Sequence, residues 1–418
     1  MDIKKVAIGA AIVAVAGGGF VALNQAANND SGSSSKTVSF WYGGDGDTDI
    51  KPIIKDFTKQ TGIKVKIQSV PWSQYNDKLL TAAASKSGPD LMVMGTTSVP
   101  NFVSSNSLMD ISDVIKKDKN LQSNKFFKGN VETTKVNGKY YGVPWYTETR
   151  VLYYRKDLLQ KVGYNEPPKN WDELYDAANK LSQRSGKDTY GFSIDQSEPT
   201  FGFMMARQNG ATLLNKNGKT EFNQKAMVET MSYLQKFVKN GVSPKEDLKL
   251  SIGESFGNKG LLPMFVSGPW MVKSIEQDSG LKDSQWGVAQ LPAGKYNNMS
   301  NTGGGDLAVF KYTSHKTEAI KLMKFLSKRE NQIKYYKNSN SLPARTDAWN
   351  DKSLQNTKVQ VIRKQLNSSQ PMPLIKQWDQ IGQNYVKAWE KISVENADPQ
   401  KTMNTFNDQT NKSLDTSK

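Results

Sequence analysis

The sequence contains no cysteine and a single histidine, His315. A disulfide framework, a thiolate nucleophile and a Cys/His metal site are therefore excluded. His315 lies in the polar segment YTSHKTE, which is typical of an exposed position near the start of a helix rather than of a Ser-His-acid triad. We expect no metal ion and no other cofactor.

Long blocks of one charge are also missing. The chain has 56 lysines and arginines against 40 acidic residues, a net charge of +16, but the lysines are scattered singly or in pairs. There is no arginine-rich stripe and no nucleic-acid-binding motif, so a nucleic acid partner is not expected. A basic surface of this kind suits a polyanionic cell wall or anionic lipid headgroups.

Long apolar runs are absent after the first residues, which follow a different pattern. A short basic stretch, MDIKK, precedes an uninterrupted apolar and glycine run at 6–23. This run exceeds a usual signal core and just reaches the length that spans a membrane. A candidate cleavage site at 14–16 lies inside it, so cleavage and retention as an anchor both stay open. We assign 1–37 to this signal or anchor segment and a polar linker, and expect export to the outer face of the cell membrane.

Beyond the linker, strand and helix patterns alternate. VSFWY, IKVKIQSV and PDLMVMG have the composition of strands, and the two segments between them have helical periodicity. Asp49 is the predicted N-cap of the first helix and Gly62 its C-cap. This β-α-β-α-β order predicts an α/β fold with a parallel sheet covered by helices.

The loops after these strands are candidate ligand contacts, because open α/β sheets bind ligands beyond the carboxyl ends of their strands. The rule selects YGGD at 42–45, Pro71 with Trp72, and GTTS at 95–98. All three loops contain polar or aromatic residues suited to a polyhydroxylated ligand.

A second candidate site lies in the segment YYGVPWYTETRVLYYRKD at 140–157, where aromatic residues surround Glu148. An aromatic ring can cover the apolar face of a pyranose, while carboxylates accept hydrogen bonds from its hydroxyl groups. Trp145, Tyr146, Trp270 and Trp378 are candidates for the stacking role. The pattern indicates a sugar site.

Several segments carry a resemblance to a known family. They are DFTKQTGIKV followed by GPDLMVM, NGKYYGVPWYTETRVLYYRKDLLQKVGYNEPPKNWDEL, FGNKGLLPMFVSGPW, SLPAR and MPLIKQW. In this order they resemble the extracellular solute-binding proteins of carbohydrate ABC transporters, the maltose/maltodextrin- and multiple-sugar-binding type. The resemblance runs from about Val38 to the C-terminal helices.

The resemblance implies a two-lobe periplasmic-binding-protein-like fold with a ligand cleft and a hinge. The first lobe would comprise 38–145 with 302–345, and the second 146–301 with 346–418. It also implies a binding protein rather than an enzyme, which captures a di- or oligosaccharide and delivers it to the permease of an ABC importer. We expect a monomer tethered to the membrane at its N-terminus.

The resemblance also implies roles for individual residues. Glu148 and Glu198 fall on positions that present carboxylates to sugar hydroxyls, and Trp270 falls on a stacking tryptophan. Asp45 falls on the polar loop after the first strand. Thr97 and Ser98 replace an Asp-Arg pair of the maltodextrin type, which weakens a maltose assignment. The complete set of expected ligand-binding residues is Asp45, Thr97, Ser98, Trp145, Tyr146, Glu148, Glu198, Trp270 and Trp378.

Four alternatives stay open at this point. Glu148 could form a structural ion pair with Arg150 or Arg155 instead of binding ligand. A polyamine would also suit carboxylates with aromatic walls. Glu148 and Glu198 could be the acid/base pair of a glycoside hydrolase, whose carboxyl groups stand about 5–10 Å apart. A wall-bound adhesin or scaffold would fit the charge and the tether without requiring a cleft.

Overall fold

The computed structural model describes residues 36–44, 46–186 and 189–416. This part of the chain contains twelve strands and sixteen α-helices. The strands are β1 (Thr37–Gly43), β2 (Lys64–Val70), β3 (Leu91–Gly95), β4 (Lys135–Val136), β5 (Lys139–Tyr140), β6 (Val143–Thr149), β7 (Val151–Arg155), β8 (Met264–Ser267), β9 (Trp286–Ala289), β10 (Ser300–Val309), β11 (Leu342–Pro343) and β12 (Ser369–Pro371).

The helices follow and separate these strands. They are α1 (Lys51–Thr61), α2 (Trp72–Ala84), α3 (Val99–Ser104), α4 (Ser112–Lys117), α5 (Lys128–Thr133), α6 (Lys156–Lys161), α7 (Trp171–Ser182), α8 (Phe201–Gln208), α9 (Lys225–Lys239), α10 (Ile252–Ser255), α11 (Met271–Asp278), α12 (Lys316–Leu326), α13 (Arg329–Ser339), α14 (Thr357–Leu366), α15 (Trp378–Ser393) and α16 (Pro399–Thr416). Among the residues described, none of these helices combines the length and the apolar character needed to cross a membrane. The predicted N-terminal segment lies outside the described residues.

The larger sheet has the strand order β11-β6-β10-β3-β1-β2, with β12 beside β10. β1 pairs in parallel with β2 and β3, which confirms the predicted β-α-β-α-β start. α1 buries Ile53, Ile54 and Phe57 against this sheet and ends at Gly62, whose φ of 72° suits glycine. The prediction for Asp49 was wrong: Ile50 occupies the N-cap position and no side chain caps the helix.

The smaller sheet has the order β8-β7-β9 and is antiparallel throughout. Its helices enclose a separate apolar core that includes Leu152, Phe203 and Trp389. Asn170 caps the start of α7, because its side chain accepts a hydrogen bond from the backbone N–H of Glu173. The two sheets therefore have their own cores.

The chain passes between the two sheets at several places. Arg150 alone separates β6 of the larger sheet from β7 of the smaller one. Another passage lies between β9 and β10. A further passage follows β11, because Trp349 packs in a cluster with residues of the smaller sheet such as Val151 and Tyr153, and the chain returns to the larger sheet for β12. These passages between two lobes form the frame in which a cleft can open and close.

Candidate functional site

A cavity of about 870 Å³ is lined by residues from both lobes. The three loops that the sequence selected after β1, β2 and β3 all contribute to it, as the carboxyl-end rule predicts. Its lining residues include Tyr42, Gly43, Gly44, Gly46, Asp49, Trp72, Gly95, Thr97, Ser98, Tyr146, Glu148, Arg150, Glu198, Thr200, Trp270, Asn301, Gly303, Gly304, Met372, Trp378 and Asp379.

Strand β6 supplies the part of the wall nearest the first passage between the lobes. Successive side chains of a strand point to opposite faces, so Tyr146 and Glu148 share one face, and Arg150 continues it. All three line the cavity. Thr147 points away from the cavity, and its hydroxyl donates to Asn130 at 2.8 Å inside the protein. One strand thus supplies the cavity on one side and the core on the other.

Packing in the core removes Trp145 from the expected site. Its side chain is 1% exposed and its ring stacks on Tyr335 at a centroid distance of 4.3 Å. Trp145 also lies within the apolar cluster of the larger sheet and is absent from the cavity lining. Its role is packing, whereas its neighbour Tyr146 lines the cavity although it is only 8% exposed.

Glu148 and Glu198 share one cation, the guanidinium group of Arg150. Arg150 Nη1 lies 3.4 Å from Glu148 Oε1, and Arg150 Nη2 lies 2.9 Å from Glu198 Oε2. The ion pair between Glu148 and Arg150 that the sequence left open is therefore present. Gly303 lies opposite Glu148 on β10, and a Cβ atom there would approach Glu148 Oε1 to 2.8 Å. A glycine at this position makes room for the carboxylate.

The two carboxylates have pKa values shifted in opposite directions. Burial raises the pKa of Glu148, and the charge of Glu198 adds to this, so that Arg150 only partly offsets the rise. Burial would also raise the pKa of Glu198, but Arg150 and the hydrogen bonds from Thr200 outweigh it, so the pKa of Glu198 is lowered. The Thr200 hydroxyl donates to Glu198 Oε1 at 2.6 Å. Glu198 is thus the better-stabilised anion.

The expected tryptophans occupy different environments. Trp270 immediately precedes α11 and is 39% exposed, with Arg150 Cζ 5.1 Å from its ring centroid. Trp378, the first residue of α15, is 2% exposed and packs on Phe203 at 5.1 Å. Trp72, which lies in one of the selected loops, is 46% exposed and also lines the cavity. The rings of Trp270 and Trp72 are therefore accessible to a ligand, whereas only a small part of Trp378 is.

Thr97 and Ser98 reach the cavity, but their hydroxyl groups already have an acceptor. Thr97 Oγ1 donates to Asp379 Oδ1 and Ser98 Oγ donates to Asp379 Oδ2, both at 2.7 Å. Asp379 follows Trp378 on α15 and was not predicted. No periodicity or motif connects groups that lie 281 and 282 positions apart in the chain.

Acidic residues outnumber basic ones on this lining. Among the residues the structure describes, Asp49, Glu148, Glu198 and Asp379 line the cavity together with one cation, Arg150. Burial raises the pKa of Asp49, and the charge of Lys273 acts in the opposite direction. Asp45, another expected ligand contact, lies outside the described residues.

The residues that the structure describes contain no group of histidine and carboxylate side chains arranged to hold a metal ion. Instead, the site combines two exposed aromatic rings, carboxylates that accept hydrogen bonds and a guanidinium group that donates them. This combination can bind hydroxyl-bearing ligands by stacking and hydrogen bonding.

Residues 42–333 match the family model described as bacterial extracellular solute-binding protein. The chain is 24% identical over 388 residues to the galactooligosaccharide-binding protein of Bacillus subtilis (strain 168), which covers 89% of this chain and 88% of that protein. It is 28% identical over 370 residues to the maltooligosaccharide ABC transporter solute-binding lipoprotein of Streptococcus pneumoniae serotype 4, which covers 84% and 83% of the two chains.

A solved structure gives the same result for the fold. The sugar-binding protein MalE from the phytopathogen Xanthomonas citri superposes with a TM-score of 0.80 at 27% identity, covering 90% of this chain and 97% of that chain. The predicted two-lobe binding-protein fold is thereby confirmed, and so is the expectation of a binding protein rather than an enzyme. Because the family model spans most of the chain, the protein belongs to the bacterial extracellular solute-binding protein family.

Proposed function

We propose that this protein captures a di- or oligosaccharide in the cavity between its lobes and delivers it to the permease of an ABC importer. The observation that carries the proposal is the exposed Trp270 ring beside Arg150, which Glu148 and Glu198 flank. The ring can stack on the apolar face of a sugar, and the charged groups beside it can bind that sugar's hydroxyls.

The size of the cavity favours more than one sugar ring. Its volume of about 870 Å³ lies near the upper end of the roughly 300–1,000 Å³ that small-molecule sites occupy. The two relatives named above bind, by their names, galactooligosaccharides and maltooligosaccharides. For these reasons we do not propose a polyamine as the ligand.

The charges on the lining favour a neutral saccharide. Asp49, Glu148, Glu198 and Asp379 surround one arginine, so a uronic acid or a sugar phosphate would meet like charges. A neutral sugar can use these carboxylates as acceptors for its hydroxyl groups. We therefore propose a neutral oligosaccharide, bound through Tyr146, Glu148, Glu198 and Trp270.

The lobes and the tether complete the proposal. We propose a first lobe of 38–145 with 302–345 and a second of 146–301 with 346–418. Because β6 continues to Thr149, we place the first passage between the lobes at Arg150. The protein would act as a monomer on the outer face of the cell membrane. The apolar segment at 6–23 would hold it there or direct its export.

A thermal-shift screen of the protein against neutral oligosaccharides, monosaccharides, uronic acid oligomers and polyamines tests the proposal. A ligand present at a hundred times its Kd adds about 2.7 kcal/mol to the free energy of unfolding, a shift of a few degrees. We expect a shift with one class of neutral oligosaccharide. A shift with a polyamine and with no sugar would overturn the ligand class.

A further inference from the structure

We propose that Asp379 is a positioning residue that holds the two lobes together across the cavity by accepting the hydroxyl groups of Thr97 and Ser98. The pair of hydrogen bonds joins protein to protein and needs no ligand as a bridge. The protein would therefore populate a closed arrangement by itself, and a ligand would stabilise that arrangement further.

We call this pair of hydrogen bonds, from Thr97 and Ser98 to Asp379, the clasp. Its donors are fixed to the first lobe. Thr97 and Ser98 lie in the turn between β3 and α3, and β3 is held on both sides by β1 and β10. The Ser98 backbone N–H donates to the Gly95 carbonyl at 3.0 Å. Ser98 is itself 7% exposed, so neither its backbone nor its side chain has much freedom.

The acceptor is equally fixed to the second lobe. Asp379 lies in the first turn of α15, which packs against α9 and α16. The same helix buries Ile381, Tyr385 and Trp389 in the core of that lobe. A movement that separates the lobes must therefore break both hydrogen bonds, because neither partner can follow the other.

The geometry of the clasp makes it a strong contact. Each carboxylate oxygen of Asp379 accepts one hydroxyl at 2.7 Å, and hydrogen bonds to a charged acceptor are stronger than neutral ones. Loss of the pair should shift the equilibrium between closed and open arrangements at least tenfold toward the open one. Another bond between the lobes, from Lys273 Nζ to the Asn338 carbonyl at 2.6 Å, is also charge-assisted but is a single bond.

In this proposal Thr97 and Ser98 hold the two lobes closed instead of contacting the ligand. Only the effect on affinity rests on the proposed function. If only the closed arrangement binds tightly, the apparent Kd equals the intrinsic Kd divided by the closed fraction. Weakening the clasp should then weaken ligand binding by lowering the closed fraction.

The absence of cysteine allows a direct test. Cysteines introduced by Ser104→Cys in the first lobe and Lys387→Cys in the second, both at exposed positions, would carry labels for a distance measurement by double electron-electron resonance in the full-length protein. Without ligand, we expect mainly the short distance, and at least a tenfold higher ratio of long to short distances in Asp379→Ala and in the Thr97→Val, Ser98→Ala double variant.

Matched variants separate the clasp from a general loss of structure. Asp408→Ala removes an exposed carboxylate from α16 of the same lobe and should leave the distances unchanged. Combining Asp379→Ala with the double variant should open the protein no further than either change alone, because all three residues form one contact. A cooperative melting transition like that of the parent would show that the variants are folded.

Two results would overturn the clasp. One is a distance distribution that is the same in the parent protein and in both clasp variants. The other is opening by Lys273→Met but not by Asp379→Ala, which would assign closure to the other contact. Because these measurements contain no ligand, they decide on the clasp even if no saccharide in the screen binds.

Discussion

The two walls of the cavity are built from different kinds of residue. The first-lobe wall includes six glycines, namely Gly43, Gly44, Gly46, Gly95, Gly303 and Gly304. The second-lobe wall includes Trp270, Trp378, Asp379, Glu198 and Arg150 and, among the residues described, one glycine, Gly382. The first wall therefore combines glycines, which allow a close approach to its backbone, with side chains such as Trp72, Tyr146 and Glu148, whereas the second presents mainly bulky and charged side chains. Accessible backbone thus belongs mainly to the first lobe, and side-chain contacts come from both lobes.

The largest expected effect comes from removing the cation of the second wall. Arg150→Met would leave Glu148 and Glu198 half-buried without their shared partner, so we expect a loss of about 2–4 kcal/mol in the free energy of unfolding at pH 7. Denaturant titration measures it. Because Arg150 lowers the pKa of Glu198, its stabilising effect is present above the unfolded pKa near 4.5 and fades as the pH falls below it.

The exposed Lys387→Met is the control for loss of one positive charge, and its stability should stay within about 0.5 kcal/mol of the parent. Equal stability of the Arg150→Met variant and the parent at pH 7 would contradict this account of the ion-pair cluster.

A matched pair of glycine substitutions tests the first wall. Gly304 has a φ of 127°, and a Cβ atom there would lie 2.2 Å from the Tyr146 carbonyl oxygen, so Gly304→Ala should cost about 2–3 kcal/mol of stability. At Gly95 the nearest atom, Ser98 Oγ, lies at 3.6 Å, an ordinary contact. Gly95→Ala should therefore fold normally. Thermal melts of both variants measure the difference, and equal melting temperatures would refute it.

Substitution of the two exposed tryptophans compares the binding energy that each wall supplies. We expect Trp270→Ala to weaken saccharide binding at least tenfold, about 1.4 kcal/mol, and to leave stability nearly unchanged because the ring is 39% exposed. Trp72→Ala, on the first wall, should weaken binding less. Titration calorimetry of both variants gives the ratio, and a larger effect at Trp72 would place the stronger stacking contact on the first wall.

The smallest expected effect distinguishes the two glutamates. The raised pKa of Glu148 means that its ionised form disfavours folding, so Glu148→Gln should raise stability at pH 7 by about 0.5–1 kcal/mol. The lowered pKa of Glu198 means that its ionised form favours folding, so Glu198→Gln should lower stability by about 1 kcal/mol. The Glu148 difference should disappear below the unfolded pKa near 4.5, whereas the Glu198 difference should persist until the pH falls below its lowered folded pKa. Changes of the same sign at pH 7 would be incompatible with the opposite pKa shifts.

Local patterns predicted the fold and part of the cavity. The strand and helix periodicities placed β1, α1 and the loops after β1, β2 and β3, because these depend on neighbouring residues. Strand alternation also groups Tyr146 with Glu148, since residues two apart share a face. Proximity in sequence was the wrong criterion for Trp145, whose ring faces the core.

Contacts between distant segments could not be predicted in the same way. Asp379 meets Thr97 and Ser98 only because α15 and the β3–α3 turn face each other across the cavity. Asp49 was interpreted as a helix cap because its local context fits that role equally well. In both cases the three-dimensional arrangement, rather than local propensity, decides what the carboxylate contacts.

Calorimetric titration with the saccharide identified in the thermal screen decides whether that saccharide binds at the proposed site. It would compare the parent protein with Trp270→Ala and Glu148→Gln. We expect a Kd near micromolar for the parent, about −8 kcal/mol, and a Kd at least tenfold higher for each variant. Unchanged affinity in both variants would show that the saccharide binds elsewhere and would contradict the proposed site.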